Sequence, residues 1–174
     1  MDKVKPSAKQ SENLDNIPSF TPTTEIEEGP YYKSGSPLKT RLFEEGLSGA
    51  KLTMTGYVRD INGKPIEHVW IDFWQADGRG EYDNSGYTLR GHQYTDKSGK
   101  YFLETVVPGG YAPRTPHIHV KVRANNRSPI LTTQLFIPGV ESNKTDFLYR
   151  KDLEIDTKVG TKGNTATFNF ILKV

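Results

Sequence analysis

Short stretches that alternate apolar and polar residues at a period of two run through this chain from residue 52 to its end, and they restrict the fold more than any other feature. In residues 69–75, Val69, Ile71 and Phe73 alternate with Trp70, Asp72 and Trp74; in residues 116–122, Ile118, Val120 and Val122 alternate with His117, His119 and Lys121. Successive side chains of a strand point to opposite faces, so each stretch offers one face to a core and keeps the other for water or chemistry. Residues 52–59, 101–107, 131–137 and 165–174 read as strands as well, the last with Ala166, Phe168, Phe170, Leu172 and Val174 on one face. Asn62-Gly63 marks a hairpin with residues 69–75 as its return strand, and Lys97-Ser98-Gly99-Lys100 and Pro108-Gly109-Gly110 mark further breaks. One helical turn is predicted over residues 40–45, ending at Gly46, and residues 157–164 read as a polar loop. Short alternating strands with Gly and Pro turns predict an all-β fold, an antiparallel β-sandwich with long loops.

At 174 residues the chain is one domain with enough length for a real core. Residues 1–24 are polar and poor in large apolar side chains, which predicts a mobile tail ahead of a sandwich over residues 25–174. Gly29-Pro30-Tyr31-Tyr32 then marks an ordered turn with aromatic anchors. The absence of cysteine removes disulfides, thiolate metal sites and a thiol nucleophile, so any metal must be held by nitrogen and oxygen. A net charge of +2 with acids and bases interspersed gives no electrostatic case for nucleic acid. No stretch approaches the ~20 apolar residues of a membrane span. No hydrophobic signal segment opens the chain; a cytoplasmic location is the default expectation, with an exported mature form left open.

The densest chemistry lies in Tyr111-Ala112-Pro113-Arg114-Thr115-Pro116-His117-Ile118-His119. Residues i and i+2 of a strand share a face, so His117 and His119 project together and form half of a metal site, with Tyr111 across a turn and Arg114 beside it as a fixed positive charge. An isolated H-x-H more often decorates the polar face of a strand than binds metal. Tyr82, in the Gly-rich stretch after residue 75, is one of nine tyrosines, and a tyrosine is usually a packing residue with a wet hydroxyl. His68 reads as exposed and His92 as a loop histidine.

Four phrases change that weighting. Trp74-Gln75-Ala76-Asp77-Gly78-Arg79-Gly80-Glu81-Tyr82-Asp83, Thr95-Asp96-Lys97-Ser98-Gly99-Lys100-Tyr101, Pro108-Gly109-Gly110 running into the tyrosine–histidine segment, and Leu131-Thr132-Thr133-Gln134-Leu135-Phe136, taken in order, resemble the intradiol ring-cleavage dioxygenases. The resemblance implies a catalytic sandwich that holds one non-haem Fe(III) per chain through Tyr82, Tyr111, His117 and His119. It implies that Tyr82 and His117 are permanent equatorial ligands and that Tyr111 and His119 are axial. Tyr111 would leave on substrate binding and take a proton, while Arg114 and Gln134 stabilise charge on the ring. Gly29, Pro30, Tyr31 and Arg114 would border the substrate. The implied reaction inserts both atoms of O2 into a catechol-type ring and opens it between the hydroxyls to a muconate-type diacid. Catechol, a substituted catechol, protocatechuate and hydroxyquinol all fall within that class, and homo-oligomer formation stays open. Only Ala112 and Pro113 separate Tyr111 from Arg114, where protocatechuate enzymes carry a longer loop, so a more open pocket is expected.

Two other readings compete. Transthyretin-like β-sandwiches share features such as Gly56-Tyr57-Val58-Arg59-Asp60 with Asn62-Gly63, and would make this a non-catalytic binding module. A zinc or ferrous site of His117, His119 and a carboxylate from Asp77, Glu81 or Asp83 is the other.

Overall fold

The computed structural model describes residues 19–161 and 163–174. Among these residues nine strands form two packed sheets: β1 (Lys51–Asp60), β2 (Trp70–Gln75), β3 (Arg90–Tyr94), β4 (Lys100–Val106), β5 (His117–Arg123), β6 (Leu131–Phe136), β7 (Asp156–Gly160), β8 (Gly163–Thr167) and β9 (Phe170–Leu172). One sheet runs β4-β1-β8-β7, with β9 also paired to β1; the other runs β3-β2-β5-β6 and is antiparallel throughout. The first sheet is mixed, because β8 and β9 lie parallel to β1. The fold is the expected all-β sandwich.

The core lies between the sheets and is drawn from one face of each strand. Leu52, Met54 and Val58 of β1, with Leu103 of β4, meet Ile71 and Phe73 of β2, Ile118, Val120 and Val122 of β5, and Leu135 of β6. Fully burying one such side chain contributes roughly 1.5–3 kcal/mol, so the alternation is an energetic commitment about which face turns inward.

Several local expectations are corrected. Asn62-Gly63 does turn the chain, with Gly63 N–H donating to Asp60 O, but β2 is no return strand for β1. It joins the opposite sheet, between β3 and β5. Every residue of β2 after Trp70 is buried, a central-strand environment that needs a partner on each side. Residues 40–45 are not helical: Leu42 N–H and Phe43 N–H both donate to Glu104 O, so the segment lies extended along β4. The polar loop expected at 157–164 is largely the β7–β8 hairpin, and β3 forms where a loop was read. The single strand expected at 165–174 breaks in two around Phe168. Tyr101 Oη donates to Phe168 O, and a Cβ at Gly56 would stand 1.7 Å from that same oxygen. Glycine at position 56 lets the two backbones touch there.

Most of the tail expected over 1–24 falls outside the described residues. Within them, contact with the sandwich begins at Phe20, whose N–H donates to Ile61 O, rather than at residue 25. Residues 24–38 then form a strap across the outer face of the second sheet. In chain order, Ile26 N–H donates to Thr132 O of β6, Glu28 pairs with Lys121 of β5, Tyr32 Oη and Ser36 Oγ donate to Asp72 of β2, and Leu38 bridges His92 of β3. Among the described residues, no helix is long and apolar enough to cross a membrane.

Candidate metal centre

The outer face of the second sheet carries the site. Antiparallel register sets Trp74 beside Arg90 on β3 and His119 on β5, and sets His119 beside Gln134 on β6. Arg90, Trp74, His119 and Gln134 thus form one rung across four strands, on the face that the core does not use. His117 follows two residues along β5, buried like His119.

Two loops bring the tyrosines to this rung. Tyr82 lies in the β2–β3 loop, where Asp77 Oδ1 accepts from the N–H groups of Arg79 and Glu81. Tyr111 lies in the β4–β5 loop, closed by a reciprocal backbone pair with Arg114. The loops abut through glycine: Gly80 has φ +82°, and a Cβ there would stand 2.4 Å from Gly110 O. That close approach carries both phenols to the histidines.

Four inward atoms result, in a closed ring. Tyr82 Oη lies 3.1 Å from Tyr111 Oη, Tyr111 Oη 3.2 Å from His117 Nε2, His117 Nε2 3.0 Å from His119 Nε2, and His119 Nε2 2.9 Å from Tyr82 Oη. His117 Nδ1 donates to Thr115 O at 2.7 Å, which fixes its proton there and leaves Nε2 as a lone pair facing the ring. The other three inward atoms bring at most one proton each, so the four contacts share at most three protons. At least one short contact therefore sets lone pair against lone pair. His119 Nδ1 is buried without a partner as well. A cation at the centre resolves the conflict, and spacings near 3 Å suit donors bound about 2.0–2.2 Å from one ion. Two imidazoles and two phenols, with no thiolate, fit a hard ion. Among the described residues no group of three or more His, Asp and Glu gathers, so Asp77, Glu81 and Asp83 do not complete the rival two-histidine, one-carboxylate site.

Electrostatics agree with a lone-pair cage. Burial and the Arg114 charge push His117 down to about 4. Burial, His117 and the two nearby arginines push His119 well below the usual imidazole value. Burial, with the Tyr111 hydroxyl next, raises Tyr82; burial also raises Tyr111. At neutral pH both imidazoles are uncharged, and only a bound cation would strip the phenols of their protons.

The neighbouring groups are held firmly. Arg114 donates through Nη2 to Gln134 Oε1 and through Nε to Asp146 Oδ2 at 2.9 Å; Gln134 Nε2 donates to Glu27 O at 3.1 Å. The strap lays the Tyr31 ring on Tyr82, 4.4 Å between centroids, and edge-on to Tyr111. Gly29 approaches His119, and Pro30 lies between these two strap residues. Trp74 stacks on the His119 ring at 4.7 Å. His92 stays off the ring of donors, with Nδ1 donating to Ser36 O, and His68 is exposed against Tyr94. Sequence reasoning missed Trp74, Arg90 and Asp146 as site residues. Asp146 lies in a loop with no motif to mark it, while the first two become visible only with the strand register.

A family model described as "Dioxygenase" matches residues 27–173. The catechol 1,2-dioxygenase of Acinetobacter baylyi is 29% identical over 80% of this chain and 54% of its own length. The protocatechuate 3,4-dioxygenase beta chain of Burkholderia cepacia is 29% identical over 62% and 48%. This chain thus spans about half the length of those two curated relatives. Among solved structures, the dioxygenase domain of a dioxygenase–carbohydrate-binding protein fusion from Streptomyces sp. SirexAA-E superposes with a TM-score of 0.85 at 45% identity, over 88% of this chain and 99% of that one. The 3-chlorocatechol 1,2-dioxygenase of Rhodococcus opacus 1CP gives 0.76 at 27%, over 87% and 73%.

Proposed function

Since the chain belongs to the intradiol ring-cleavage dioxygenases, we propose that it uses one non-haem Fe(III), held by Tyr82, Tyr111, His117 and His119, to open a catechol-type ring between its hydroxyls with O2, giving a muconate-type diacid. The observation that carries this is the closed ring of four donor atoms at 2.9–3.2 Å. When bound, a ferric ion would supply a hard Lewis acid that makes a catechol ring reactive towards O2.

The chain's own groups do the rest. Thr115 O holds the His117 proton on Nδ1, so that ring presents a fixed lone pair, and the Trp74 face holds the plane of the His119 ring. Tyr111 is the phenol that swings away; its oxygen then takes a proton from a substrate hydroxyl as a general base. Arg114, steadied by Asp146 and Gln134, points a guanidinium at the reacting side of the ring and stabilises negative charge there. Tyr31, with Gly29 and Pro30, walls the aromatic substrate and keeps water from that side.

Visible absorption of concentrated protein, before and after anaerobic addition of catechol, tests the reading. A red-brown band that moves to longer wavelength with catechol is the expected result. A protein that stays colourless after reconstitution with iron overturns it. A non-catalytic transthyretin-like module, the alternative raised by the sequence, has no use for four convergent donors.

A further inference from the structure

Resting on the iron-dioxygenase reading, we propose that Arg90 is a positioning residue whose buried guanidinium is the counter-charge of Tyr82 as an iron ligand, giving the two tyrosine ligands unequal electronic character. Arg90 ends the rung that contains His119 and is 2% exposed. Its guanidinium donates to Tyr31 O at 2.5 Å and Asp83 O at 3.0 Å, and its central carbon lies 5.9 Å from the Tyr82 ring centroid.

A buried cation is costly unless its charge is met. Among the described residues no carboxylate lies within 4 Å of Arg90 to form an ion pair. The nearby acids act on it only across space, Asp83 most, with their oxygens hydrogen-bonded to other groups: Asp83 accepts from the N–H groups of Ser85, Gly86 and Thr88, and Asp72 accepts from Tyr32 and Ser36. Carbonyl dipoles and these charges offset part of the cost. The negative charge that Tyr82 carries on binding a metal ion adds a further partner beside the guanidinium.

Tyr111 has no equivalent. Arg114, already paired with Asp146, bears on both phenols, whereas Arg90 bears on Tyr82 alone. Tyr82 thus faces a second guanidinium that Tyr111 lacks, a structural basis for one ligand staying bound while the other detaches. The same guanidinium holds the Tyr31 carbonyl, so it also sets the aromatic wall that stacks on Tyr82.

Iron-loaded Arg90→Lys, Arg90→Gln and Arg90→Met, compared with the parent protein by absorption spectrum, iron affinity and KM for catechol, test this. Losing the charge raises the donor level of the Tyr82 phenolate. The neutral variants should therefore show the tyrosine-to-iron band at longer wavelength and, because the phenol then gives up its proton less readily, bind iron roughly ten- to a hundredfold more weakly at neutral pH. Arg90→Lys should keep the parent band while its KM rises, since an ammonium does not span both carbonyls as the guanidinium fork does. An unmoved band in the neutral variants, or equal shifts in all three, overturns the inference. If the neutral variants do not fold, Arg90→Lys decides: a parent-like band supports the inference and a shifted one overturns it. A parent protein that takes up no iron overturns the functional reading and this inference together; a coloured parent with indifferent variants overturns this inference alone.

Discussion

His117 and Asp146 show how single groups are prepared for chemistry. One carbonyl, Thr115 O, decides which nitrogen of His117 faces the donor ring. Asp146 Oδ2 accepts from both Arg114 Nε and Thr115 N–H, fixing the arginine and the start of the histidine strand together. Burial pushes the Asp146 carboxyl up, but N–H donors from Leu148 and Thr115 and the Arg114 charge outweigh it and hold the group below the usual carboxylate range. A depressed folded value stabilises the fold above the unfolded carboxylate value of about 3.9, and that contribution is lost as pH falls through the lower folded value. Asp146→Asn should therefore flatten the acid limb of thermal midpoint against pH below about 4, and should lower kcat/KM about tenfold or more through a loosened Arg114. Between the two phenols, Tyr82→Phe should lose iron and colour, whereas Tyr111→Phe should retain more iron, as metal analysis after gel filtration would show. Equal loss would count against their separate roles. The histidine pair, both tyrosines, Arg114 and Gln134 were all legible, because motif phrases carry them; Asp146 was not, because a lone acid in an unmarked loop gains meaning only from what folds against it.

Strand β5 separates stability from function at adjacent positions. Ile118 points into the core and His119 onto the outer face. Ile118→Ala should cost about 2–5 kcal/mol in urea unfolding while the folded protein still binds iron. His119→Ala should lose iron with little change in the stability of the metal-free protein. Alternation made that division readable in advance, since a strand has only two faces. At β1, Gly56→Ala should destabilise by about 3 kcal/mol, because the added methyl meets Phe168 O. That requirement was not readable. The apolar pattern of 165–174 continues through Phe168, and the break into β8 and β9 depends on Tyr101 and Gly56, which are distant in sequence.

The donors come from the β2–β3 loop, the β4–β5 loop and β5, so the unfolded chain has no assembled site. Iron should therefore raise the thermal midpoint. At about a thousandfold over Kd the linkage is worth about 4 kcal/mol, and chelation should reverse it; an unchanged midpoint would argue against the four-donor site. The period-two pattern and the glycine and proline breaks determined most of the strands and the face each one buries, because side-chain direction and local burial are short-range properties. The same pattern does not choose strand neighbours. Residues 69–75 seemed to pair with 52–59 across Asn62-Gly63, yet two-sided burial draws β2 between β3 and β5 in the opposite sheet. Only that long-range pairing sets Arg90, Trp74, His119 and Gln134 on one rung and carries the strap across it. The sequence by itself determined which side chains can serve as ligands and which face they occupy. The tertiary structure decided which unmarked residues hold and charge them, because register and sheet order follow from the summed burial of the whole molecule rather than from any local signal.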